Sequence, residues 1–129
     1  MSSSPKTRTA ETVVLTLPGS GAYLGILRTT TAGLAARLGF GLDAVEDLRV
    51  AVDEACNLLL NEPAAQITCR FYPDVEGVAI DLEAPHSGGR QRWADTFAWQ
   101  LLSSLAQDVA VVETSDTVTI TLRKNFSSS

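Results

Sequence analysis

From Glu11 the chain alternates, with Val13, Leu15 and Leu17 set against Thr12, Val14 and Thr16. A period of two predicts a strand that gives one face to a core. Pro18-Gly19 ends it. Ser20 stands where a helix N-cap is expected, and Leu24, Leu27, Thr31, Leu34 and Leu38 then recur at three- and four-residue spacing, predicting an amphipathic helix. Gly39-Phe40-Gly41 breaks that period. A second helix opens at Leu42 or Asp43, with Asp43, Glu46 and Asp47 in its first turns, where the helix dipole favours acids. Its apolar stripe is Val45, Leu48, Val52, Ala55 and Leu59, and Pro63 follows as a stop.

Two strands come next. Ile67, Cys69 and Phe71 face one way and Thr68, Arg70 and Tyr72 the other; after a turn at residues 73–77, Val78, Ile80 and Leu82 face in and Ala79, Asp81 and Glu83 face out. Residues 84–92 are polar and contain glycine. Asp95 is then placed to cap a third helix with the stripe Ala98, Leu101, Leu102 and Leu105. Strands over 109–114 and 117–123 close the chain, joined at Ser115-Asp116, with Val118, Ile120 and Leu122 inward. Each strand has one apolar face and each helix one stripe, so the elements predict an α+β two-layer sandwich, a mostly antiparallel sheet with helices on one face.

Composition narrows the class. With 129 residues, 45% of them hydrophobic and 19% charged, the chain suits one domain, expected over residues 11–124 between flexible segments at 1–10 and 125–129. Fifteen acidic against ten basic residues give a net charge of −5, which argues against direct binding of nucleic acid. No stretch approaches the roughly 18 uninterrupted apolar residues of a membrane span, and the first residues lack a signal-peptide core, so the expected place of action is the cytoplasm. Cys56 and Cys69 fall inside apolar runs rather than a CxxC, and read as small buried hydrophobes of a reducing compartment.

General catalytic motifs are scarce. His86 is the only histidine and lies in a polar stretch, so clustered His or Cys metal ligation is not available, and Gly88-Gly89, a short flexible pair, is by itself a weak phosphate-loop signal. Chemistry concentrates on the second helix. Glu54, Asn57 and Asn61 share one side, with Asp53 and Arg49 continuing the polar arc. A carboxylate with two amides can activate a hydroxyl and help hold a hydrated cation; the same arc also serves as a plain solvated face.

The run Asp47-Leu-Arg-Val-Ala-Val-Asp-Glu-Ala-Cys56 resembles the start of the N-box helix of the RsbW/SpoIIAB-type anti-sigma factors, serine kinases of the Bergerat (GHKL) ATPase fold. The resemblance runs over roughly residues 11–123. It includes the late Phe97-Ala-Trp-Gln-Leu-Leu-Ser-Ser-Leu-Ala-Gln-Asp108, similar to the family's last helix and the turn into its final hairpin. It is closest to an actinobacterial branch with eroded nucleotide motifs. The resemblance implies that Glu54 is the general base. It also implies a magnesium-binding asparagine four residues later, where this chain has Leu58; Asn57 stands one position early and Asn61 three positions late. The Asp-x-Gly-x-Gly box that reads adenine corresponds to Asp81-Leu-Glu-Ala-Pro-His-Ser-Gly-Gly89, which puts Asp81 or Glu83 near the adenine and Pro85 where glycine is expected. Arg90-Gln-Arg-Trp-Ala-Asp95 replaces the glycine-rich segment before the last helix.

On the first helix, Arg28 falls at the arginine by which the family contacts its sigma factor and its antagonist. The implied function is a cytoplasmic, homodimeric anti-sigma factor. It sequesters an alternative sigma factor, is countered by an anti-anti-sigma protein and does not touch DNA. The alternative is an active serine kinase, with ATP and Mg²⁺ as cofactors, phosphorylating the anti-anti-sigma factor.

Overall fold

The computed structural model describes residues 11–60, 66–85 and 96–126. Strand β1 (Val13–Pro18) leads through a 3-10 turn (Gly21–Tyr23) into helix α1 (Leu24–Arg37). Ser20 caps that turn rather than α1 itself, its Oγ accepting the Ala22 N–H at 3.2 Å. Helix α1 ends where the glycine pattern predicts: Gly39, at φ +97°, lets Phe40 N–H reach the Ala35 carbonyl at 3.2 Å and Gly39 N–H the Ala36 carbonyl at 3.1 Å. This is a Schellman close, satisfying two of the carbonyls a helix end leaves open. Helix α2 (Leu42–Leu59) follows directly, then the hairpin of β2 (Gln66–Asp74) and β3 (Gly77–Pro85), helix α3 (Phe97–Leu105), and the hairpin of β4 (Gln107–Glu113) and β5 (Thr117–Asn125).

The five strands form one antiparallel sheet in the order β1-β2-β3-β5-β4. Registers such as Leu15↔Cys69, Cys69↔Leu82 and Leu82↔Ile120 line the apolar positions across one face. That face meets the helices. Leu27 of α1, Leu48, Ala51, Val52 and Ala55 of α2, and Leu102 of α3 are buried with Ile67, Phe71, Ile80, Leu82 and Ile120 of the sheet. The expected α+β two-layer sandwich is what the chain forms, and the sheet's other face carries Thr68, Arg70, Asp81, Glu83 and Thr121 in paired positions.

Several boundaries differ from the sequence pattern; β4, expected over 109–114, spans Gln107–Glu113. The β2–β3 turn is shorter than 73–77, because Pro73 pairs with Val78 and Asp74 with Gly77. Pro73 is tolerated there because the β1 register with β2 stops at Phe71, so no ladder partner waits on that side. Asp95, the expected cap of α3, lies outside the described residues; Thr96 is the N-cap, its Oγ1 accepting the Trp99 N–H at 3.1 Å. At the far end the fold continues past residue 124. Asn125 is still in β5, and Phe126 N–H bonds the Glu76 carbonyl at 2.9 Å while its ring packs on Phe40 with centroids 4.6 Å apart. Residues 125 and 126 therefore belong to the folded unit, because the aromatic ring adds apolar contact beside the α1–α2 turn.

Candidate functional site

The polar arc of α2 exists, and the structure divides it among different partners. Arg49 is held by Glu46, one turn earlier, through its Nη2 and through Nε at 3.2 Å to Oε1. Asp53 faces α1: its Oδ1 accepts from Arg28 Nη2 at 3.1 Å and from Nε at 3.3 Å. Glu54 is half-buried and has no hydrogen-bond partner among the described residues, and Asn57 is exposed one turn further along. Asn61 lies outside the described residues, as do His86, Gly88-Gly89 and Arg90 to Asp95.

Leu58 is decisive for metal chemistry. It is 8% exposed and part of the core cluster. Magnesium requires a near-octahedral oxygen set. On this helix face the described residues offer the Glu54 carboxylate and the Asn57 amide, and the position one turn after Glu54 is a buried alkyl group. No cluster of three or more His, Cys, Asp or Glu occurs among the described residues. Among the described residues, those on this helix face do not make up a Mg²⁺-nucleotide site of the kind the resemblance implies.

Asp81 lies apart from this group. Its neighbours Ile80 and Leu82 are fully buried against the helices, so strand alternation turns Asp81 to the opposite face of the sheet, opposite Arg70 on β2 and Thr121 on β5. Burial there lifts its carboxyl above the ordinary carboxylate range, with Tyr72 and Arg70 opposing the rise. Glu83 shares that face and is bonded to Arg70 Nη1 at 2.7 Å; it borders a groove of about 130 Å³ between the starts of β2 and β5 and the end of β3. The sheet thus separates Asp81 and Glu83 from Glu54 and Asn57. The structure brings together Arg28, Asp53, Glu54 and Asn57 on the helix side. Sequence reasoning named both members of the Arg28–Asp53 pair without joining them; the available signal was two opposite charges on the polar sides of consecutive helices.

The cysteines are structural. Both are buried and unbridged. Burial pushes the Cys56 thiol up to about 12, and Cys69 is raised well above its ordinary value for the same reason. A thiol so held is a poor nucleophile.

A 78-residue stretch is 36% identical to the serine-protein kinase RsbW of Bacillus cereus, covering 55% of this chain and 49% of that protein. This chain resembles the RsbW-type kinases. The RsbW of Halalkalibacterium halodurans is 44% identical over 46 residues, covering 36% of this chain and 28% of that protein. The RsbW of Bacillus subtilis is 43% identical over 47 residues, covering 36% and 29%. The chain spans about half or less of the length of these RsbW relatives. No protein-family model matches it. No helix among the described residues is long and apolar enough to cross a membrane.

Proposed function

We propose that this chain is an anti-sigma factor that works by stoichiometric binding: it sequesters an alternative sigma factor in the cytoplasm and is countered by an anti-anti-sigma protein. The observation that carries this reading is Leu58. The RsbW likeness points to a regulator of this kind, while a buried leucine at the implied metal-ligand position favours binding over phosphotransfer. Partner binding does not require that chemistry; it requires surface. Arg28 is the surface residue we assign to it, with 38% of its side chain exposed on α1. An acidic protein of net charge −5 also gains from electrostatic steering toward a basic, DNA-binding partner. Homodimerisation belongs to the same proposal and is checked by sedimentation equilibrium.

The test is retention of purified sigma factors of the host by the immobilised chain, with and without Mg-ATP. One sigma factor retained equally in both conditions supports the reading. Retention of none, or only with Mg-ATP, contradicts it.

A second reading, a serine kinase acting on the anti-anti-sigma factor, is favoured by the name of the relatives and by Glu54. A half-buried carboxylate without a partner among the described residues is suited to take a proton from a serine hydroxyl. Calorimetric titration with millimolar Mg-ATP decides between the two. Absence of heat rules out the kinase; binding together with phosphate transfer that Glu54→Ala abolishes establishes it.

A further inference from the structure

We infer that Asp53 is a positioning residue for Arg28, holding one edge of its guanidinium so that the other is presented to a carboxylate of the protein partner. This rests on the assignment of Arg28 to partner binding made above. A guanidinium offers two edges on which a pair of N–H groups lies parallel: the side edge, Nε with Nη2, and the end edge, Nη1 with Nη2. Asp53 Oδ1 takes the side edge, accepting from Nη2 at 3.1 Å and Nε at 3.3 Å. No described residue accepts from Nη1. Among the described residues nothing occupies the end edge, which has the bidentate geometry that carboxylates prefer. Arg28 and Asp53 are 38% and 30% exposed at their side chains, so the pair lies at the surface between α1 and α2 and is within reach of a docked protein.

Two effects of Asp53 oppose each other. Its negative charge weakens the attraction of Arg28 for an incoming carboxylate, and its hydrogen bonds remove the rotamer freedom that Arg28 would otherwise lose on binding. At this exposure the charge term is largely screened by solvent and salt, whereas ordering a long side chain is a cost paid in full at an interface. Orientation prevails, and Asp53 helps binding. Helix α1 suits the role, because Arg28 and Arg37 are its only charged residues in a chain that is otherwise acidic overall.

A double-mutant cycle on the retained sigma factor tests this, using Arg28→Ala, Asp53→Ala and the double variant, with urea unfolding of each to confirm that the fold is intact. Arg28→Ala is expected to weaken binding by about tenfold or more, and Asp53→Ala by about fivefold. In the Arg28→Ala background, Asp53→Ala should then change nothing. Asp53→Asn, which keeps an oxygen acceptor, should restore most of the loss. If Arg28→Ala weakens binding but Asp53→Ala does not, or does so equally in the Arg28→Ala background, the positioning role is wrong and the assignment of Arg28 stands. If Arg28→Ala leaves binding unchanged, that assignment fails and the positioning role with it. If no sigma factor is retained, both fall with the proposed function.

Discussion

Gly77 has the tightest backbone constraint among the described glycines. At φ +156° its hydrogen faces β5, and a Cβ placed there would stand 2.1 Å from the Lys124 carbonyl oxygen. That contact is with backbone, which cannot swing aside, so Gly77→Ala is expected to cost about 2 kcal/mol or more, read as a lower urea midpoint. Nothing local to residue 77 reveals this, since the obstacle is on another strand. The cysteines are the reverse case: their apolar settings in the sequence already indicate burial. Cys56 adds a pH dependence. Its folded thiol titrates at about 12 against an ordinary value of 9.0, so the folded chain holds that proton more tightly. The associated stability is complete below pH 9.0 and is lost as pH rises toward about 12. Urea midpoints should fall over this alkaline window, less steeply in Cys56→Ala.

At the scale of elements, the β2–β3 hairpin is held by one carboxylate. Asp74 Oδ1 accepts from Glu76 and Gly77 N–H at 2.8 and 3.0 Å, and its two oxygens take Arg123 Nη2 and Nη1 at 2.8 and 2.9 Å. The guanidinium bonds of Arg123 keep the Asp74 carboxyl below its ordinary 3.8. Stability from this pair is therefore present at neutral pH and is lost as pH falls below 3.8 toward the folded value. Asp74→Ala should cost about 2 kcal/mol at neutral pH, and the gap from the parent in urea unfolding should narrow in acid. This clamp explains why the turn is tighter than the Pro-Asp-Val-Glu-Gly composition suggests. Element order and inward faces were legible in the sequence because period two and the three-to-four spacing are local. The 3-10 turn before α1 was not, because a Ser20 hydroxyl serves equally as cap of a short turn or of the helix itself; the place of Asp74 in the strand and the Arg28–Asp53 bond were not, because hydrogen bonds between neighbouring elements decide them. Leu58 was legible as a departure in the motif; its burial, which gives the departure chemical weight, required the packing of α2.

For the whole molecule, the sandwich divides the implied site residues between two faces, Glu54 and Asn57 with the helices and Asp81 on the far side of the sheet. Such a division favours partner binding over nucleotide chemistry. Polar contacts at a half-exposed arginine and steering by net charge are both weakened by ions. Affinity for the sigma factor should fall as salt rises, mainly through a slower on-rate; surface-plasmon kinetics at several salt concentrations read it. The central claim, binding that does not depend on nucleotide, is tested most directly by calorimetric titration of the purified chain with the sigma factor it retains, with and without Mg-ATP. The account predicts the same affinity in both titrations. Binding that appears only with Mg-ATP, or no binding in either, would contradict it.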